Sequence, residues 1–429
     1  MSKKRLPLHW QIIIGMTSGI LFGLLMTSFT WGATFVGDWI APFGTIFIRL
    51  LKLIAIPLIF TSLVKGIADL KDISSFRHIG VRTILIYMST TVAAITIGLL
   101  LVNTIRPGSG VSPETIEELT STYAQDASLT SNIETATQQQ QGPLSFLVEM
   151  VPENIFAAFG NNGLMLQVIV FSILFGICML LIEPKKAKPV SRLIDGLNEI
   201  VLKMVDLIMC IAPYAVFALL AQIIVSSGNV EILQKLLMYG LTVVTGLTVM
   251  IALYLLIIYL TTGRSPRWFL GGIAPAQLLA FSTSSSAATL PVTMERVTDH
   301  LGVDNEVSSF VLPVGATINM DGTALYQGVC ALFVAQAFGI ELSIGAQLGI
   351  LLTATLASIG TAGVPGAGLI MLTLVLTQAG LPVEGVGLLA GIDAVLDMAR
   401  TSINITGDAA VAVVVAKTEG ELADVKKAA

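Results

Sequence analysis

Long apolar segments dominate the first 262 residues, and each is long enough to cross a lipid bilayer as a helix, which takes about 20 residues. The pattern predicts six spans, at residues 8–30, 42–66, 82–105, 164–183, 196–224 and 236–262. These segments do not alternate polar and apolar residues as the strands of a membrane barrel would. We therefore expect helices.

Basic residues lie in alternate connections between these spans. They cluster at 3–5, 65–82, 185–192 and 264–267, whereas residues 6–48 and 107–184 contain no Lys or Arg. By the positive-inside rule this pattern places the N-terminus on the cytoplasmic side. The first apolar segment exceeds the core of a secretory signal, about 7–15 residues, so we expect it to remain as a span.

The composition excludes most other classes of protein. The chain of 429 residues is 54% apolar without its 39 glycines and only 12% charged, against about 25% charge in soluble domains. A helical integral membrane protein is the class that remains. The net charge of −5 gives no reason to expect a nucleic-acid partner. A polar stretch without basic residues, at 112–141, predicts a mobile external loop.

Two clusters of small residues interrupt the apolar sequence after residue 265. Residues 284–291 and 358–365 both end in proline, and each lies between apolar arms too short to span singly. Asp321 and Asp397 follow the two prolines by 30 and 32 residues. Paired interruptions of this kind indicate the binding site of a secondary transporter. Close packing of helices through small residues is the alternative for either cluster alone.

The last apolar segment carries a polar stripe whose spacing places its members on one helical face: Asp393, Asp397, Arg400, Thr401, Asn404 and Asp408. A charge at the bilayer centre costs about 2.5–3.5 kcal/mol, so these groups must be paired or hydrated. Asp397 and Arg400 can form a structural ion pair, which leaves the other aspartates unpaired.

Charge balance favours a second interpretation of the same residues. Three aspartates of the stripe, Asp321 and one arginine sum to −3 when ionised, so cations must enter. Carboxylate, amide and carbonyl oxygens suit sodium. An arginine binds a carboxylate through two parallel hydrogen bonds, and a neighbouring aspartate can accept an ammonium group. An acidic amino acid fits Arg400 and Asp397.

Four motifs then resemble one family in order and spacing: the run Gly-Ala-Thr-Ile-Asn-Met-Asp-Gly-Thr at 315–323, the serine-rich stretch before Pro291, Gly-Val-Pro-Gly-Ala-Gly at 363–368, and the polar stripe. The chain resembles the dicarboxylate/amino acid:cation symporter family, which includes glutamate and aspartate transporters, over nearly its whole length. The resemblance implies an all-α integral membrane protein with eight transmembrane helices, two re-entrant helical hairpins, inverted repeats, a homotrimer and an elevator mechanism.

The resemblance also implies a division of the chain. Residues 1–265 would form mainly scaffold and trimerisation spans, with the third span at 82–105 and a polar external loop at 107–145 included. Residues 266–416 would form the transport core of hairpin–helix repeats, and residues 417–429 a polar cytoplasmic tail.

The site residues follow from the same resemblance. The substrate-binding set is Ser285, Ser286, Thr323, Val364, Gly368, Asp397, Arg400, Thr401 and Asn404. The sodium-binding set is Tyr87, Thr90, Thr91, Gly315, Thr317, Asn319, Asp321, Ser358, Ile359, Thr361, Asn404 and Asp408. Arg400 would hold the side-chain carboxylate of the substrate and Asp397 its amino group. Many members carry one more arginine near the substrate, where this chain has Ser284 and Met398.

The sequence therefore predicts a sodium-coupled symporter of glutamate or aspartate in a plasma membrane, the inner membrane of a bacterium. It would contact membrane lipids, use sodium as its coupling ion and need no cofactor. A proton-coupled symporter of the same fold is the nearest alternative. A channel or receptor with a polar intramembrane site would not explain duplicated broken hairpins. An intramembrane enzyme is not favoured, because the sequence pairs no base with the serines at 284–286.

Overall fold

The computed structural model describes residues 8–68, 77–110, 151–161, 164–227, 231–361, 363–383 and 385–423. These residues are almost entirely helical, and one isolated bridge pairs Val303 with Leu422. The predicted external loop at 112–141 lies outside the described residues.

Each of the six predicted spans coincides with a helix. The helices of this part are α1 (Leu8–Thr27), α2 (Gly32–Phe35), α3 (Ala41–Ala68), α4 (Arg77–Ile105), α5 (Ile155–Phe159), α6 (Met165–Leu181), α7 (Pro184–Ser227) and α8 (Glu231–Thr262). Within the described ranges, five segments are long and apolar enough to cross a membrane: Trp10–Thr27, Gly32–Ala68, Ile79–Ile105, Pro184–Gln222 and Gln234–Thr262. The helix on the fourth predicted span, α6, has 17 residues and is shorter than these.

The start of α7 differs from the expectation. The predicted span begins at residue 196, whereas the helix begins at Pro184 and includes the basic stretch at 185–192. Proline is favoured at the first helical position because its fixed φ suits the helix and its missing N–H has no partner there. The basic stretch is therefore the polar first part of a long helix.

Each cluster of small residues contains a helix break, the first between Thr283 and Ser286 and the second between Gly360 and Ala367. The first hairpin consists of α9 (Pro266–Thr283) and α10 (Ser286–Glu295), and the second of α13 (Ile344–Gly360) and α14 (Ala367–Gln378). Ser284 ends α9 with φ +51°, and Gly366 precedes α14 with φ +78°. The left-handed backbone at Gly366 suits a residue without Cβ.

A third break divides the helix that follows the first hairpin. It separates α11 (Asn305–Ile318) from α12 (Asp321–Ala337), and Asn319 between them is extended, with φ −102° and ψ 91°. The break places the carboxylate of Asp321 in the first turn of α12, where the helix dipole stabilises negative charge.

Packing brings the hairpins, α12 and the last helix, α15 (Gly385–Glu419), together. Helices α1 and α3 pack along α7, whereas α4 and α8 pack against α12 and α15. Nearly every residue of α12 is buried. Large apolar side chains such as Leu21, Leu207 and Leu260 are exposed on the outer faces of α1, α7 and α8, as lipid contact requires.

Candidate functional site

The tips of the two hairpins are joined by hydrogen bonds to one carbonyl. The hydroxyl of Ser285 donates to the Gly363 oxygen at 2.6 Å, and the backbone N–H of Ala287 donates to the same oxygen at 3.3 Å. Ser285 Oγ also accepts from the N–H of Ala288 at 3.2 Å and so caps α10. One serine thus fixes both the start of α10 and the distance between the tips.

A small polar cavity lies beneath these tips. Its lining residues are Ser284, Ser286, Met320, Thr323, Thr361, Gly363, Val364, Gly368, Asp397, Thr401 and Asn404. The cavity volume is about 10 Å³, room for roughly one water molecule. Seven of the nine residues predicted for the substrate line it, and the other two, Ser285 and Arg400, adjoin it. The hairpins are therefore closed over this group of residues.

Arg400 is fully buried beside the cavity. Its Nη2 lies 2.7 Å from Asp397 Oδ1 and 3.0 Å from Asp393 Oδ1, and its Cζ lies 3.7 Å from the ring centroid of Tyr326. Its Nε and Nη1 have no hydrogen-bond partner among the described residues. The guanidinium is held by two carboxylates and an aromatic face, yet it retains donors for an anionic group.

Asp397 connects α15 to the second hairpin. Its Oδ1 accepts from Arg400, and its Oδ2 accepts from the backbone N–H of Gly366 at 3.1 Å. The hydroxyl of Thr401 donates to the Asp397 carbonyl at 2.8 Å within α15. The carboxylate thus contacts both the arginine and the hairpin tip.

Asn404 connects α15 to the first turn of α12. Its Oδ1 accepts from the Gly322 N–H at 2.8 Å, and its Nδ2 donates to Thr323 Oγ1 at 3.2 Å. A Cβ at Gly322 would lie 2.7 Å from the Arg400 carbonyl oxygen, so glycine permits this close approach.

A second polar cluster surrounds Asp321, which is fully buried. Its Oδ1 accepts from the hydroxyl of Thr91 on α4 at 2.7 Å, and its Oδ2 accepts from the hydroxyl of Tyr254 on α8 at 2.6 Å. Two hydroxyl donors therefore hold this carboxylate in a fixed orientation.

Asn319 and Asp408 continue the cluster. Asn319 Nδ2 donates to Asp408 Oδ1 at 2.9 Å, and Thr90 Oγ1 donates to Asn319 Oδ1 at 3.4 Å. A Cβ at Gly315 would lie 2.5 Å from Asp408 Oδ1, and it would also meet the hydroxyl of Tyr87. Oxygen atoms from α4, α8, α12 and α15, together with that of Asn319, thus lie around one buried region, and hard cations prefer such ligands.

The remaining predicted cation ligands are not linked to one another in this way. The hydroxyls of Thr317, Ser358 and Thr361 each donate to a carbonyl three or four residues earlier in the chain. Ile359 is half-buried on α13. Across the described ranges, no hydrogen bond joins Thr317 to these residues of the second hairpin.

A family model supplies the deciding observation. The model of the sodium:dicarboxylate symporter family matches residues 8–418. The chain belongs to the sodium:dicarboxylate symporter family. This confirms the resemblance drawn from the motifs, and it makes the protein a membrane transporter, not an enzyme.

Individual relatives of this symporter match over most of its length. The proton/sodium-glutamate symport protein of Geobacillus stearothermophilus is 35% identical over 97% of this chain and 96% of its own. The proton/glutamate-aspartate symporter of Escherichia coli (strain K12) is 34% identical over 100% and 96%. The human excitatory amino acid transporter 2 is 35% identical over 85% and 71%.

The predicted sets omit several residues that contact the candidate site, among them Asp393, Gly366, Tyr326 and Tyr254. Asp393 belongs to the polar stripe, and Gly366 to the second hairpin motif, so the sequence carried a signal for both. Tyr254 and Tyr326 stand in apolar helices, where an aromatic residue is most simply explained by packing.

Proposed function

We propose that this protein imports glutamate or aspartate together with sodium ions. The observation that carries the proposal is the buried guanidinium of Arg400, which retains unused donors beside the cavity under the hairpin tips. A buried charge with unused donors is costly unless a ligand satisfies them. A side-chain carboxylate matches the planar geometry of the guanidinium.

The amino group of the substrate would bind Asp397. This carboxylate lies one helical turn from Arg400 and lines the cavity. A substrate that carries both a carboxylate and an ammonium group provides a partner for both residues, whereas a simple dicarboxylate brings no cationic group to Asp397. The names of the bacterial relatives, which are glutamate or glutamate–aspartate symporters, support the same substrate class.

Sodium would occupy the cluster around Asp321, Asn319 and Asp408. Two buried carboxylates need positive charge, and the surrounding hydroxyl, amide and carbonyl oxygens are suitable sodium ligands. Protons could also neutralise the two aspartates, and the names of the relatives include both ions. The neutral oxygen ligands around the two carboxylates favour sodium over protons, because a carboxylate can bind a proton without further oxygen ligands.

The second hairpin would act as the gate. Gly366 binds the same Asp397 carboxylate that the substrate amino group would take, so substrate binding competes with a contact of the hairpin. In this proposal residues 266–416 form the moving core of an elevator, and α4 and α8 of the predicted scaffold pack on α12 and α15 of that core. The protein would be a homotrimer in a bacterial inner membrane with eight spans, a cytoplasmic N-terminus and a cytoplasmic tail at 417–429.

Uptake in proteoliposomes tests the coupling ion. We expect radiolabelled glutamate or aspartate to accumulate when an inward sodium gradient is imposed at equal pH on both sides. Accumulation that follows a proton gradient and does not depend on sodium would show that protons are the coupling ion. Conductance without accumulation would favour a channel.

Variants of Arg400 test the substrate class. Arg400→Ala should abolish uptake of acidic amino acids. The purified variant should still unfold in one cooperative thermal transition, which shows that it is folded. Arg400→Lys keeps the charge but loses the two parallel hydrogen bonds, so its uptake should also be strongly reduced. Uptake at the wild-type level by both variants would show that Arg400 does not bind the substrate.

A further inference from the structure

Tyr254 reaches the candidate cation cluster from a helix that supplies none of the predicted cation ligands. It lies in the apolar part of α8, and the residue is only 1% exposed. Its hydroxyl donates to Asp321 Oδ2 at 2.6 Å, opposite the bond from Thr91 to Oδ1. A Cβ on Gly407 would lie 2.7 Å from this hydroxyl, so the bare glycine of α15 leaves the space that the hydroxyl occupies.

We propose that Tyr254 is a positioning residue of the cation site, which holds the Asp321 carboxylate in the orientation that binds sodium. The inference rests on the proposed function, since it presumes a sodium ion at Asp321. Hydrogen bonds to a ligating group orient it, and their loss typically lowers metal affinity about 10- to 100-fold. Thr91 is itself a predicted ligand, so its bond to Asp321 changes when the ion binds. The Tyr254 hydroxyl is then the donor that keeps its bond to Asp321 when the ion binds.

The geometry also explains why the hydroxyl does not exclude the ion. Each carboxylate oxygen offers about two acceptor positions, so Oδ2 can accept from Tyr254 and still contact a cation. Asn319, the next residue of the cluster, lies beside the same glycine of α15, with its Nδ2 3.1 Å from the Gly407 Cβ position. Tyr254 therefore contacts the cluster where α8, α12 and α15 meet.

Tyr254→Phe tests the inference because it removes one hydroxyl and retains the ring. Tyr239→Phe is the matched control: Tyr239 is also buried on α8, but its hydroxyl pairs with the Cys330 thiol at 3.0 Å. Calorimetric titration of the purified full chain with glutamate, repeated over a series of sodium concentrations, gives the sodium requirement. We expect Tyr254→Phe to need about 10- to 100-fold more sodium, with unchanged glutamate affinity at saturating sodium. Tyr239→Phe should behave as wild type.

The outcomes separate this inference from the proposed function. Equal sodium requirements for wild type and Tyr254→Phe would overturn the role of Tyr254 and leave sodium coupling intact. Wild-type binding that ignores sodium would instead overturn the coupling, and the inference with it. The sodium-dependent rise in unfolding temperature, measured without glutamate, reports ion binding separately from substrate binding. Failure of Tyr254→Phe to fold, while Tyr239→Phe folds, would assign the hydroxyl to stability and contradict the inference.

Discussion

In the proposed function, a substrate replaces contacts that Asp397 makes in this structure. Its two oxygens are engaged by Arg400 and by the Gly366 N–H, and both bonds lie at the cavity. The amino group of an acidic amino acid would take one of these positions. The proposed selectivity of the site would therefore depend on a carboxylate that already has partners in the closed structure.

Asp397→Asn should lower glutamate affinity more than affinity for a dicarboxylate. A hydrogen bond to a charged group contributes about 1.5–3 kcal/mol, so we expect roughly a 10- to 150-fold loss for glutamate. Competition of succinate with labelled glutamate measures the change in selectivity. Equal losses for both compounds would indicate that Asp397 does not contact the amino group.

Gly315→Ala should damage the cation cluster, whereas Gly271→Ala should not. A Cβ at Gly315 would lie 2.5 Å from Asp408 Oδ1, while nothing lies within 4 Å of one at Gly271. Overpacking costs about 1–3 kcal/mol, and alanine in an open helical position gains about 0.5–1 kcal/mol. Unfolding temperatures of the two purified variants should therefore move in opposite directions. A tolerated alanine at 315 with normal sodium dependence would show that the cluster is loosely packed.

At this scale charged residues carried a signal for a polar site in the sequence that Tyr254 did not carry. Asp321, Asp397, Arg400 and Asp408 are expensive in a membrane, so their presence alone indicates a polar site. A buried tyrosine has an ordinary packing explanation. Its hydroxyl acquires a role only when the fold brings a distant carboxylate to it, as at Tyr254.

The hairpins show the same contrast at the scale of elements. Their breaks were predictable because clusters of serine, glycine and proline interrupt the apolar sequence, although Pro291 itself lies inside α10. The start of α7 at Pro184 was not, because the basic residues that follow it are equally compatible with a loop or with an exposed helical turn. Hydropathy locates the apolar part of a helix and leaves its polar extensions undefined.

Ser285→Ala should loosen the closed hairpins. The change removes the cap of α10 and the hydroxyl bond to the Gly363 carbonyl. A loss of about 1–2 kcal/mol corresponds to roughly 5- to 30-fold faster release of labelled glutamate. The control is Ser282→Ala, since Ser282 is exposed and its hydroxyl donates to Leu279 within α9. Equal release rates for the two variants would contradict a role for the tip contact in closure.

The whole molecule has an orientation that can be tested directly. The positive-inside rule predicts that the basic regions at 65–82, 185–192 and 264–267 lie inside and that the connection near Asp38 lies outside. In a variant without Cys178, Cys210 and Cys330, we expect Asp38→Cys to react with an impermeant maleimide on intact cells. Lys188→Cys should react only after permeabilisation. The reverse pattern would invert the topology.

Gly363 makes the two re-entrant tips interdependent. One carbonyl oxygen receives the Ser285 hydroxyl and the Ala287 amide from the opposite hairpin, and Ser285 in turn caps α10. Moving Gly363 away would remove the acceptor of both donors at once. Water would then have to accept hydrogen bonds from the Ser285 hydroxyl and the Ala287 amide. In the proposed mechanism, opening of the second hairpin therefore also removes a hydrogen-bond acceptor from the tip of the first hairpin.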